Sequence, residues 1–131
     1  MIRRLFRLLW VLWAGSLWSV PWVTWILFHR QGDRHLAGLL AGPLFSIECY
    51  LGVAASALAL ALPGRSKYAW GYVAAALLAV NEWALRPIME AARAQGTAVG
   101  LGFGAWHGVS MLLYLLACVA MLWLVWKQEI R

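Results

Sequence analysis

Glu82, Arg86 and Glu90 stand four residues apart in sequence, so on one helix they form a single stripe with acid preceding base, the favourable order for helical ion pairs. Such a stripe either neutralises itself or serves as a handle for protons or anions. Asn81 adds an amide beside it, and Glu48 is a lone carboxyl in an otherwise almost uncharged stretch. His107, Ser110 and Tyr114 follow at i, i+3 and i+7, which puts an imidazole and two hydroxyls on one helical face. An imidazole there is suited to structural hydrogen bonding, to proton relay, or to ligation of a metal or haem. His107 is therefore the weak metal candidate, and copper(I) would look for sulfur from Cys49, Met89 or Met111. Bis-histidine haem would need a second buried histidine, yet His29 and His35 fall in a connecting loop.

These groups lie within a chain that is 64% hydrophobic and 12% charged, with a mean hydropathy of +0.74 over 131 residues, far too apolar for a soluble domain of that size. Four apolar segments, roughly 5–28, 36–62, 68–92 and 99–126, each meet the length of about 20 residues that crosses a bilayer. The expected fold is all-α: one polytopic domain, 1–131, of four transmembrane helices in an antiparallel bundle. Ionisable groups inside such segments are costly and mark functional sites by default. With each segment centred in the membrane, Ser16, Glu48, Asn81 and Glu82 fall near the middle, and His107 and Ser110 slightly to the outer side. Arg86 can then reach toward His107 if their helices are neighbours, and Glu48 is expected to be protonated or paired.

The net charge of +6 does not indicate nucleic acid, because the basic residues sit at segment ends instead of on one face. Arg3, Arg4, Arg7, Arg65, Lys67, Lys127 and Arg131 share one side, against Arg30, Arg34 and Arg93 on the other, so both termini are expected in the cytoplasm. Trp10, Trp70, Trp123 and Trp126 at the inner boundary, and Trp22 and Trp25 at the outer, read as interfacial anchors. The first segment is longer than a signal peptide and lacks a cleavage site, which makes it a retained helix. Cys49 and Cys118 both fall within segments, which argues against a structural disulfide, and no CxxC, HExxH, P-loop or GxGxxG motif is present.

Two small-residue stripes, Gly38-Gly42-Ser46 and Gly100-Gly104-Gly108, have the four-residue spacing of close helix packing. Pro21, Pro43 and Pro87 each remove an amide inside a span and are candidate kinks. Pro87 leaves the carbonyl of Trp83 to be satisfied by Arg86, another helix or water.

Leu12-Trp13-Ala14-Gly15-Ser16-Leu17-Trp18, the stretch from Leu36 to Phe45, Asn81 with Arg86-Pro87-Ile88-Met89, and the stretch from Phe103 to Tyr114 together resemble a bacterial family, the domain-of-unknown-function family 4149, related to the transmembrane-protein-205-like proteins. The resemblance covers nearly the whole chain, with Trp106-His107-Gly108-Val109-Ser110 as its most specific element, and departs from the family where Pro21 precedes the Pro-x-x-Phe position expected near Phe28. It implies a four-helix protein of the bacterial inner membrane with no settled activity. A more distant similarity to copper-resistance protein D and to the haem-carrying membrane protoporphyrinogen oxidase implies ligand chemistry. Three readings follow: a binding or accessory component docked through the bilayer to a larger complex, a small proton-coupled transporter working as a homo-oligomer, or a haem- or copper-binding protein. No catalytic residue is indicated.

Overall fold

The computed structural model describes residues 1–130, with side chains through Gln128; Arg131, counted above among the cytoplasmic charges, lies outside the described residues. Helix α1 (Ile2–Arg30) and helix α2 (Arg34–Leu60) are joined by three residues, and Asp33 caps α2 by accepting from the amides of His35 and Leu36. A 3₁₀ turn (Arg65–Tyr68) leads into a third rod made of helix α3 (Ala69–Val80), a π-helical turn (Asn81–Leu85) and helix α4 (Arg86–Gln95). Two short strands, β1 (Thr97–Ala98) and β2 (Leu101–Gly102), precede helix α5 (Phe103–Ile130). The chain is thus an all-α bundle of four helical rods, and α1, α2 and α5 are each long and apolar enough to cross a membrane.

Consecutive rods pack side by side and α5 closes back onto α1, which makes a four-membered ring. One end of the ring holds the start of α1 and the finish of α2 and α5; we term it the near end, and the end with Arg30, Arg34, Gln95 and Phe103 the far end. The core lies from the middle to the near end. Trp10 is wholly buried, stacked on Tyr68 at 5.8 Å and tilted against Trp13 at 5.6 Å, so it is a core residue and not the interfacial anchor its position implies. Trp22, Trp25, Trp70, Trp123 and Trp126 are exposed.

The close helix approaches occur at other glycines than the two stripes. A methyl group on Gly71 would meet the ring of Trp10 at 2.7 Å, and one on Gly52 would run into the ring of Trp13. At Gly38, Gly100, Gly104 and Gly108 such a methyl would have no neighbour within 4 Å, and at Gly42 only Arg86, at 3.7 Å. Within the chain, Gly38, Gly100, Gly104 and Gly108 thus make no close helix approach, while the Gly42–Ser46 part of the first stripe faces Arg86. Gly100 is not helical at all: with Val99 it forms the two-residue turn between the strands, with φ of 78° and 51°, so α5 begins at Phe103 instead of residue 99. Positive φ at both central residues is the type I′ hairpin geometry. Val99 departs there from what a β-branched residue tolerates.

Helices α1 and α2 continue through Pro21 and Pro43 without interruption. At Pro87 the kink expected from sequence takes the form of the π turn, in which the amide of Arg86 bonds back to the carbonyl of Asn81 five residues earlier.

A belt of polar contacts across the bundle

Four polar contacts at similar depth join the four helical interfaces in turn. Between α1 and α2, the hydroxyl of Ser16 donates to the carboxyl of Glu48, and the indole of Trp13 donates to the Glu48 carbonyl at 3.2 Å. Between α2 and the third rod, Ser46 donates to Glu82 at 2.8 Å and accepts from Arg86 at 2.6 Å, while Arg86 meets the same Glu82 oxygen at 2.6 Å. Between the π turn and α5, Ser110 donates to the Asn81 side chain at 2.6 Å, and the Asn81 amide returns a bond to the Ser110 carbonyl at 3.2 Å. Between α5 and α1, the phenol of Tyr114 donates to the carbonyl of Leu17 at 2.6 Å, with the indole of Trp18 donating to the Cys118 carbonyl at 3.3 Å.

The π turn matters to this geometry. An extra residue in one helical turn shifts the side chains that follow it by roughly 100° around the axis. The turn sits where the rod faces two partners, with Asn81 reaching α5 and Glu82 and Arg86 reaching α2. Glu90 completes the acid–base–acid stripe at 3.6 Å from Arg86.

Of the residues singled out from sequence, Glu48, Asn81, Glu82, Arg86 and Ser110 all enter the belt. They form three separate groups, not one continuous cluster. Glu48 is 2% exposed, and its second carboxyl oxygen is buried without a partner among the described residues. His107 is not part of the belt. It lies on the face of Tyr114, one to two turns toward the far end, where it is exposed and stacks on Phe103 at 5.7 Å, whose ring lies 4.5 Å beneath the Arg93 guanidinium. Among the described residues, α1 has no buried residue beyond Val20 and α5 none before Tyr114, so the seam between these helices is open in the far half. The expected approach of Arg86 to His107 is replaced by Arg86 with Ser46.

The histidines and cysteines proposed as donors for haem or copper do not gather into one group among the described residues. Cys49 and Cys118 are free and buried on different helices, and no three His, Cys, Asp or Glu side chains come together among the described residues. His29 donates from Nδ1 to the Trp25 carbonyl at 2.9 Å, and the His35 amide belongs to the cap of α2.

Sequence reasoning put Ser16 at the depth of Glu48 without pairing the two, and missed Ser46, Trp13, Trp18 and Leu17 as belt members. The signal that could have found Leu17 is Pro21 four residues later, which leaves its carbonyl without an amide donor.

The fold and the belt define a membrane protein: an all-α bundle that ties its helices together by hydrogen bonds at its middle depth. Residues 8–98 match the model of the domain of unknown function DUF4149, and the chain belongs to that family. The element from Trp106 to Ser110, the most specific part of the resemblance, lies beyond the matched stretch. No curated protein and no solved structure matches the chain.

Proposed function

We propose that the protein is a binding or accessory component of the bacterial inner membrane. In this reading all four rods cross the bilayer, the near end with both termini faces the cytoplasm, and the far half of the bundle docks a larger membrane complex. The observation that carries it is the position of polar groups on the open far half. Arg86 keeps 41% of its side chain exposed beside Glu82, and His107 is exposed between Gly104 and Gly108, about one turn from the middle of the bundle. Hydrocarbon does not solvate a guanidinium or an imidazole, and intramembrane ionisable residues characteristically face protein or a water-filled cavity. Glycines with open space above them let a partner helix approach closely enough to cover such groups. Arg86 spends part of its guanidinium on Ser46 and Glu82 within the chain and His107 makes no such contact, whereas the hydroxyl and carboxyl side chains of the belt are less exposed than His107 and engaged with neighbouring helices.

The test is photo-cross-linking in native membranes with a photoreactive residue at Gly104 or Gly108, compared with Val119 and Leu122 on the exposed face nearer the core. Discrete cross-linked species at the glycines alone, accompanied by co-purification at a fixed molar ratio that Gly108→Leu abolishes, are expected. Equal, diffuse labelling at all four positions would remove the docking reading.

A further inference from the structure

On the outside of the bundle, α2 and α3 enclose a groove of about 460 Å³ in the half toward the near end. Ala55 and Ala59 of α2 and Ala75 of α3 are buried, while the next side chains outward, Ala57, Ala76 and Ala79, are too short to fill the space between Val53, Leu60 and Tyr72. Its exposed walls are almost wholly apolar, with the Ser56 hydroxyl buried beneath them without a partner among the described residues, and from Val53 to Leu60 it runs about 10 Å along the helix axis.

At its near-end limit, Leu60 and Tyr72 stand beside the connector between the two walls. That connector carries Arg65 and Lys67, both exposed, and the Tyr72 hydroxyl on the groove wall donates to the Arg65 carbonyl at 3.0 Å, which ties the basic segment to that wall. A smaller hollow of about 160 Å³, lined by Ile2, Arg3, Leu62, Pro63 and Tyr68, brings Arg3 of α1 against the same connector. From residue 49 to 81 the sequence has no acidic residue, and Glu129 is the one acid toward this end against Arg3, Arg4, Arg7, Arg65, Lys67 and Lys127.

An open apolar groove of this length, beside cations that make no ion pair among the described residues, matches a molecule with a hydrocarbon chain and an anionic head. We propose that the α2–α3 groove is a binding site for an anionic diacyl phospholipid. One acyl chain lies between Val53 and Ala79, and the phosphate sits among Arg65, Lys67 and Arg3. Basic segments beside a membrane helix draw anionic headgroups in this way. The site is separate from the far-half surface, so it stands or falls independently of the docking reading.

The experiment uses the full chain purified in dodecyl maltoside and follows its melting temperature while phosphatidylglycerol, phosphatidylcholine of identical acyl chains, or soluble glycerol phosphate is added. Phosphatidylglycerol is expected to stabilise at concentrations on the order of thirty-fold lower than phosphatidylcholine, the factor that two basic residues supply near a membrane surface. Glycerol phosphate is expected to do nothing, since it lacks the chain. The R65A/K67A double variant changes only exposed side chains and should lose the preference while keeping the lipid-free melting temperature. Ala76→Leu, which fills the groove, should weaken both lipids. Equal responses to the two lipids would overturn the proposal. So would a preference retained in R65A/K67A, a preference lost only when Arg4 and Arg7 are replaced, or a full response to glycerol phosphate.

Discussion

The phenol of Tyr114 donates to the carbonyl of Leu17 at 2.6 Å, and that carbonyl is the one Pro21 leaves without an amide partner. A helix-breaking residue in α1 thus creates the acceptor that α5 uses to close the ring. The Cys118 thiol approaches the same oxygen at 3.8 Å, and Phe45 meets the Tyr114 ring edge-on at 5.1 Å.

Tyr114→Phe removes the donor and strands the acceptor, so it should destabilise the bundle by about 1–2 kcal/mol. In a Pro21→Ala background the restored amide satisfies Leu17, and the same substitution should cost about half as much or less. Unfolding of the four variants in mixed micelles measures the coupling. Equal costs in both backgrounds would show that the hydroxyl and the proline act independently.

Replacing Arg86 with Met, or Glu82 with Leu, leaves one charge of the pair without its partner. Each single change should lower stability by about 1–2 kcal/mol, less than the loss for a fully buried pair because Arg86 is partly exposed. The double replacement should cost less than either single one. Thermal melts in detergent decide this, and singles that melt with the parent protein would mean that water satisfies both charges.

Gly52→Ala should cost about 1–3 kcal/mol, because the new methyl collides with the Trp13 ring, whose indole is held by the Glu48 carbonyl. Gly108→Ala has open space and a helical backbone, so the isolated protein should be unchanged or stabilised by up to about 1 kcal/mol. Comparing the two in the same unfolding assay separates packing within the chain from any role of Gly108 between chains. A large loss at Gly108 in the purified monomer would contradict the open seam.

Val99→Asn should stabilise the protein by about 1 kcal/mol, since asparagine tolerates the left-handed conformation that costs a β-branched residue 1–2 kcal/mol, and Asn-Gly is the favoured type I′ pair. Val99 is 81% exposed, so little packing is lost. A lower melting temperature in detergent would show that the Val99 side chain makes a contact outside the chain.

The i, i+4, i+8 stripe of Glu82, Arg86 and Glu90 is local to one helix, so its pairing was legible from spacing alone. The pairing of Ser16 with Glu48 or of Ser110 with Asn81 was not, because each depends on which rods are neighbours and on their relative depth. Trp10 and His107 show the same limit from opposite sides. A tryptophan near a segment end is placed in the core by Gly71 opposite it, and a histidine within an apolar run is left exposed because α1 and α5 part beyond Val20 and Tyr114.

The amino-acid sequence by itself determined the membrane class, the all-α fold, the number of helical rods and the short connections, because burying apolar length in hydrocarbon depends on composition and not on neighbours. Where a backbone departs from regularity was only half visible: Pro87 announces a disturbance, but that it takes the form of a π turn over Asn81–Leu85, with Asn81 bonded to α5 and Arg86 to α2, was not legible from spacing. The tertiary structure alone decided which carboxyl meets which hydroxyl and which glycines are closely packed. Those outcomes follow from rotation and depth register between helices, and apolar faces that lipid and protein cover equally well leave both undetermined until side chains interlock.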